Sequence, residues 1–254
     1  MDHNSNRCVL TFVLTERFLC NRRRRELSKE ELEVVEGAIA EVRTIPPRSQ
    51  VVTAGKPIHA STLLVEGLMC RYMDDRAGNR QIVAIHIPGD FVDLHGFPLK
   101  HLDHDVATIT SCKVACVPHE NLETIIGTHP HLSRQLWFST LMDAAMHREW
   151  TFRLGRLDAN QRIAHLFCEL YCRMNAVGLA KDGSFSLAIT QQDVGETCGI
   201  TSVHVNRALR NLRNDGLVTF RSKKVVIPDR AKLAKLADFE PNYLFFDPDF
   251  EALS

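Results

Sequence analysis

Residues 189–227 read ITQQDVGETCGITSVHVNRALRNLRNDGLVTFRSKKVVI, and this stretch decides the fold. Thr190 is a favoured N-cap, and Asp193 three residues on supplies the reciprocal carboxylate of a capping box. A short helix is expected next, with Val194 and Cys198 pointing inward. Gly199 ends it, because the left-handed turn needed there costs glycine almost nothing. Thr201 caps a second helix whose Val205, Ala208, Leu209 and Leu212 recur at helical spacing. The opposite face carries Ser202, His204, Asn206, Arg207, Arg210 and Arg213, with no acid before Asp215.

Two short helices across a glycine turn, the second polar and basic outside, match a helix-turn-helix. Residues 217–220 and 225–227 read as strands joined by Arg221-Ser222-Lys223-Lys224, a basic wing. A capped helical hairpin with a solvated charged face would share the first half of this pattern. The attached wing makes DNA the expected partner.

Whole-chain charge does not announce nucleic acid. The 254 residues carry 31 Lys/Arg and 31 Asp/Glu, a net charge of zero. Residues 157–230 hold ten Lys/Arg against seven Asp/Glu, and the excess sits on the second helix and the wing. Local fields draw a protein to phosphate. No run approaches the ~20 apolar residues of a membrane span. The apolar residues 9–14 are cut off by Glu16 and Arg17 with no small-residue cleavage site, so no signal peptide is expected and the chain is placed in the cytoplasm. Eight scattered cysteines with no C-x-x-C favour reduced, buried thiols over a disulfide framework.

Upstream, Arg22 to Arg25 form a run of four arginines, read as a solvated helix edge. Ser28 with Glu31 is a capping box for a helix expected through about Val42, with Leu32, Val35, Ala38 and Ile39 on one face, stopped by Pro46-Pro47. From 49 to 117 short β-branched runs alternate with turns: 50–53, 61–66, 69–73, 81–87, 90–93, 106–110 and 113–117. Glycines at 55, 67, 78, 89 and 96 punctuate them at the spacing of a jelly-roll barrel. Helical pattern returns near 122–126, then over 130–152, where apolar residues occupy more than one face. A helix buried on two sides touches two things. One is its own barrel; the other is most simply the same helix of a second subunit, with Leu132, Leu136, Leu141 and Ala145 as the expected seam. Asp158 caps a further helix to about Met174, and a strand at 185–189 leads into the helix-turn-helix.

This order, with Pro88-Gly89-Asp90-Phe91 in the barrel, Asp158-Ala159-x-x-Arg162-Ile163-Ala164 after the hinge, and Thr190-Gln191-x-Asp193 through Val205-Asn206-Arg207, resembles the Crp/Fnr family of bacterial transcription regulators. The resemblance covers residues 27–244. It is nearest to a branch whose barrel carries GDF-x-DLH and whose recognition helix reads T-x-VHVNR. It implies an α+β chain in five parts: an N-terminal extension (1–26), a cyclic-nucleotide-binding-like jelly-roll barrel (27–129), a dimerisation helix and hinge (130–156), a winged helix-turn-helix (157–240) and a tail (241–254).

Carried over residue by residue, the resemblance puts the recognition arginine at Arg207, facing a guanine O6/N7 edge. Two further base-reading positions fall on Ser202 and Val203. Where well-known members place a glutamate, Val203 can only meet an apolar group such as a thymine methyl. His204, Asn206 and Arg210 reach phosphate or an adjacent base, while Thr190, Gln191, Thr201, Lys223 and Lys224 position the helix on the backbone. The resemblance further implies a homodimer on a pseudo-palindrome and RNA polymerase as a partner.

The signal is less well marked. Cyclic-AMP-binding members hold the phosphate with a Gly-Glu-Leu turn and a following Arg-Ser/Thr pair. Here the turn reads Asp93-Leu94-His95, residues 102–107 contain no arginine, and Asp93, Asp103 and Asp105 would repel a phosphate. No cyclic nucleotide is expected, although Asp93 and His95 remain candidates for an effector pocket. Iron–sulfur members need a cluster of N-terminal cysteines; Cys8 and Cys20 alone do not make one. His86, His95 and Cys70 leave haem open without supporting it.

A competing class is a metal-dependent jelly-roll enzyme, or a metal or redox sensor, built on the His/Asp-rich segment 93–105 with Asp93, His95, His101, His104 and Asp105. The H-x-H at His129 to His131 falls at a helix start instead, and no metal ligand is assigned. A third class is a constitutive regulator whose barrel is only a platform. Cys112 and Cys116 share a strand face ~13 Å apart, too far for a disulfide. Cys168 and Cys172 share a helix face, where a buried pair is commoner than a redox switch. Cys198, if partly exposed beside the basic helix, could be oxidised and block DNA binding. The reading as a whole is a regulator and not an enzyme.

Overall fold

The computed structural model describes residues 13–253; Cys8 and most of the apolar segment 9–14 lie outside them. Two antiparallel sheets form the N-terminal domain. Strands β1 (Glu41–Ile45), β7 (Cys112–Pro118) and β3 (Ala60–Glu66) make one, in that order. Strands β2 (Gln50–Val52), β6 (Asp105–Thr108), β4 (Met69–Asp74) and β5 (Arg80–His86) make the other, and the single-turn helix α2 (Gly96–Leu99) lies between β5 and β6 in the chain. The sheets do not close into a continuous barrel.

Alternation along the strands builds three layers of core. Leu64, Val114, Met69, Val106 and Val52 meet between the sheets. Leu63, Val65, Ala115 and Val117 face outward and are covered by α1 (Lys29–Gly37), α3 (His119–Thr128) and the start of α4 (Pro130–Arg156). Cys70, Tyr72, Ile82 and Ile85 face the other way, onto Met146 and Trp150 of α4 and the core of the C-terminal domain. Strands buried on both faces explain why β3 reads as an apolar run without strict alternation.

Two expectations are corrected here. The helix begun by Ser28 and Glu31, whose capping box is complete, stops at Gly37 and not near Val42. Residues 41–45 pair with β7, Glu41 opposite Cys116 through Ile45 opposite Cys112. Ile39 and Val42 fit a helical face by spacing, but β-branched residues beside an open sheet edge gain more as a strand. Residues 90–93, expected as a strand, contribute a single bridge, Phe91 to Leu63.

The arginine run is only in part a solvated edge: Arg23 and Arg25 are exposed, Arg24 is half-buried and Arg22 is buried. Buried Arg22 donates to the Leu244 carbonyl at 3.0 Å and lies 4.5 Å from the Phe246 ring. Arg23 stacks on Phe138, Arg24 donates to the carbonyls of Thr15 and Phe18, and Arg25 pairs with Asp249. Arg22 and Arg25 thus fasten the N-terminal extension to the C-terminal tail, while Arg23 reaches α4 and Arg24 closes a turn of the extension itself.

After α4, Asp158 caps α5 (Ala159–Ala176), with Gln161 closing the box. Thirteen of its eighteen residues are buried, since it is the central post of the C-terminal domain. Around it stand β8 (Ala180–Lys181), β9 (Ser184–Ser186), α6 (Gln191–Cys198), α7 (Ser202–Asn214), β10 (Thr219–Arg221), β11 (Lys224–Val226) and α8 (Arg230–Ala237). Strands β10, β11, β9 and β8 form one small sheet in that order. A buried ionic network joins α5 to its surroundings: Glu169 accepts from Trp150 Nε1 at 2.9 Å, Tyr243 at 2.8 Å and Arg173 at 3.3 Å.

Candidate nucleic-acid interface

The interface is set by helix caps. Thr190 Oγ1 accepts from the Asp193 amide, and the Asp193 carboxylate accepts from the Thr190 amide at 2.6 Å, which orients the start of α6. Gly199, at φ 62°, turns the chain sharply into the next cap. Gly195 lets the helices cross closely: a Cβ there would stand 2.7 Å from the Ile200 carbonyl oxygen and 3.4 Å from Val205. Thr201 then caps α7 and bonds His204 Nδ1 at 2.9 Å.

α7 buries Val205, Ala208 and Leu212 against α5 and α6, so its other side is left to solvent. Ser202, Val203, His204, Asn206, Arg207 and Arg210 are all exposed there, Val203 at 76%. Asn206 is not free: its Nδ2 donates to Gln191 Oε1 at 2.7 Å, tying the reading helix to the first residue of α6.

The wing turns through Ser222 and Lys223, at φ 49° and 60°, the pair of left-handed residues of a type I′ turn. Lys223 and Lys224 are exposed, the strand ends lying one or two residues from where the sequence pattern put them. Among the described residues, Arg207, Arg210, Arg213, Arg221, Lys223 and Lys224 have no carboxylate within salt-bridge reach; among the ion pairs formed, none involves them. Six unpaired cations on one helix and one hairpin are suited to phosphate.

Cys198 is 2% exposed, and burial pushes its thiol up to about 11. It is therefore a protonated core residue, and the partial exposure on which an oxidation switch would depend is not met. Cys168 and Cys172 are likewise buried thiols with raised values, burial being the first cause.

On the sensor side, Asp93 is consumed structurally: its two oxygens accept from the Thr62 amide at 2.6 Å and hydroxyl at 3.0 Å. Burial nevertheless raises it to about 6. His95 lies against His104 with ring centroids 5.3 Å apart, and burial, then Arg71, push it down to about 3. Arg71, overlooked in the sequence because it stands on β4 and outside the expected window, is buried and donates to Asp143 at 2.6 Å and to the Val92 carbonyl at 2.7 Å. Among the described residues, no three His, Cys, Asp or Glu side chains converge as metal ligands, so segment 93–105 does not assemble the metal centre of the competing reading. His104 is instead engaged with Asp103.

The expected seam also needs correction. Leu132 and Leu136 are buried inside their own chain, against the three-stranded sheet and α3, and Ala145 is buried as well. Leu141 is 53% exposed and Trp137 64%. Arg134, Trp137, Leu141, Ala144 and Arg148 are all exposed and follow a 3-4-3-4 spacing, a single stripe on the outer side of α4. A helix with apolar residues all round gave no sign of which stripe faces its own domain.

Comparison with known proteins agrees with this architecture. The profile of the cyclic nucleotide-binding domain matches residues 42–129, and that of the Crp-like helix-turn-helix domain matches residues 161–236. The transcriptional activator protein FnrL of Cereibacter sphaeroides is 27% identical over 212 residues, 82% of this chain and 84% of its own length. Electron transport regulator A of Shewanella oneidensis is 24% identical, over 83% and 84%. FixK2 from Bradyrhizobium japonicum superposes with a TM-score of 0.71 at 26% identity, covering 78% of this chain and 97% of that one. The regulator CLP of Xanthomonas campestris, described as c-di-GMP responsive, gives a TM-score of 0.63 at 20% identity over 80% and 100%, which speaks to the fold alone. With a sensor-type domain and a winged reading head both matched, and relatives that are transcription regulators along most of their length, the chain belongs to the Crp/Fnr family of DNA-binding transcription regulators.

Proposed function

We propose that two copies of the chain join along the exposed stripe of α4 and read a pseudo-palindromic site, one reading head per half-site. The observation that carries this reading is the stripe itself: Trp137, Leu141 and Ala144 lie open to solvent at coiled-coil spacing while the opposite faces of α4 are occupied. Dimers of helix-turn-helix proteins present their second helices to major grooves about one helical turn apart, and the exposed row from Ser202 to Arg210 suits that role. Arg207 pairs with guanine, Val203 meets a thymine methyl, and Lys223 and Lys224 hold phosphates. The setting is the cytoplasm, and RNA polymerase is the partner through which binding acts.

The signal is not a cyclic nucleotide. Asp93 stands at the phosphate-binding turn, and Arg71, the cation beside it, is already spent on Asp143 and a backbone carbonyl. Sedimentation of the purified chain tests the assembly: a mass of two chains is expected, and a mass of one at micromolar concentration overturns it. Calorimetric titration with cyclic AMP and cyclic GMP tests the second part, with no binding heat expected; saturable binding of either overturns it.

A further inference from the structure

The short helix α6, which precedes the reading helix, is held at both ends by the sensor domain. At its start, Arg48 forks onto Asp193, Nη1 to Oδ1 at 2.5 Å and Nη2 to Oδ2 at 2.7 Å. This is the same carboxylate that caps α6 through Thr190. At its end, Gln81 Nε2 of β5 donates to the Glu196 carbonyl at 2.5 Å, with the Thr197 carbonyl at 3.4 Å. Terminal carbonyls of a helix lack partners within it, so this amide caps α6 from outside its own domain.

Arg48 is presented rigidly. It follows Pro46-Pro47 and sits at φ 59°, a conformation that non-glycine residues rarely hold. Its amide donates to the Thr108 carbonyl at 3.0 Å. The buried Thr108 hydroxyl donates to the Pro46 carbonyl at 2.7 Å and accepts from the Ser49 amide at 2.9 Å. A bidentate guanidinium–carboxylate pair fixes orientation as well as distance, which a single bond does not.

We propose that Arg48 and Gln81 are positioning residues for DNA recognition: by gripping both ends of α6 they fix the reading head against its own sensor domain, and so set the spacing of half-sites that a dimer accepts. Among the described residues neither side chain hydrogen-bonds to α7, so the chemistry of base reading within one half-site is left intact. This inference rests on the dimeric reading above. The sensor domain carries α4, and through α4 the partner copy; the grip on α6 converts that fixed dimer frame into a fixed distance between two reading helices.

The test uses the full-length chain and duplexes that carry either one half-site or two half-sites separated by the selected spacer or by spacers one and two base pairs longer or shorter. Arg48→Ala/Gln81→Ala is expected to bind the single half-site within about two-fold of the unmodified chain, while its preference for the selected spacer over the two-base-pair variants drops at least five-fold. Arg48→Lys, which keeps the charge and loses the fork, is expected between the two. A preference unchanged in the double variant overturns the inference. So does a parallel loss at the single half-site, which would make these residues supports of the reading head itself. If the unmodified chain shows no spacer preference, the dimeric reading fails and the inference with it.

Discussion

Arg173, on the central helix of the DNA-binding domain, donates from Nη2 to the Asp90 carboxylate of the sensor domain at 2.7 Å, and to the Ile85 carbonyl at 2.9 Å. Arg173 is buried and the Asp90 side chain is only 14% exposed, and the same guanidinium reaches Glu169. Burial acts to raise Asp90, but Arg173 and then His86 hold it well below the usual carboxylate range. The two domains are therefore joined by charge as well as by the apolar surface they share. Removing one partner of a buried pair strands the other. Arg173→Met is expected to cost about 3–5 kcal/mol in urea unfolding; a loss below about 1 kcal/mol would show that the pair is not needed to join the domains.

Stability should depend on pH through two neutral histidines, His86 buried and His95 half-buried. Burial, then Arg71, pushes His86 down to about 4 and His95 to about 3. The unfolded chain takes up these protons near pH 6.5 and the folded one does not, so stability falls as pH drops from 6.5 toward 4. Asp93, raised to about 6 by burial, works against this between its unfolded value and pH 6, because there the folded state holds the extra proton. Two groups outweigh one, and urea midpoints should decline below pH 6.5. The decline should be shallower in His86→Gln.

Dimerisation should respond to position on α4, not to hydrophobicity alone. Leu141→Asp is expected to give folded monomers by sedimentation, because Leu141 faces solvent within one chain. Leu132→Asp buries a charge inside the subunit and is expected to unfold it. Folded dimers in the Leu141 variant would place the seam elsewhere.

Base and phosphate contacts should separate in titrations. Arg207→Ala is expected to cost about 1–3 kcal/mol at the cognate site and to relax the base choice at one position. Lys223→Ala should weaken all duplexes alike and flatten the salt dependence by roughly one unit. The reverse assignment of these two signatures would move the reading surface from the helix to the wing.

What could be read in the sequence was local. Two capping boxes, at Ser28 and Thr190, the N-cap Asp158 and the left-handed Gly199 depend on residues within a few positions of one another, and each stands as its pattern implied. Long-range relationships were hidden. Asp193 was legible as a cap, but its second partner is Arg48, 145 residues away. The arginine run carries no mark of the tail residues Leu244, Phe246 and Asp249 that occupy it. For β1, the helix expected through about Val42 overran its first residues, and pairing with the edge of β7 decided otherwise.

Selection of binding sites from random duplex DNA tests the dimeric, sequence-reading regulator most directly. A two-fold symmetric consensus is expected, with a guanine at the position that Arg207→Ala relaxes and half-site centres about ten base pairs apart. An asymmetric consensus with one half-site, or no enrichment from a folded preparation, would contradict it.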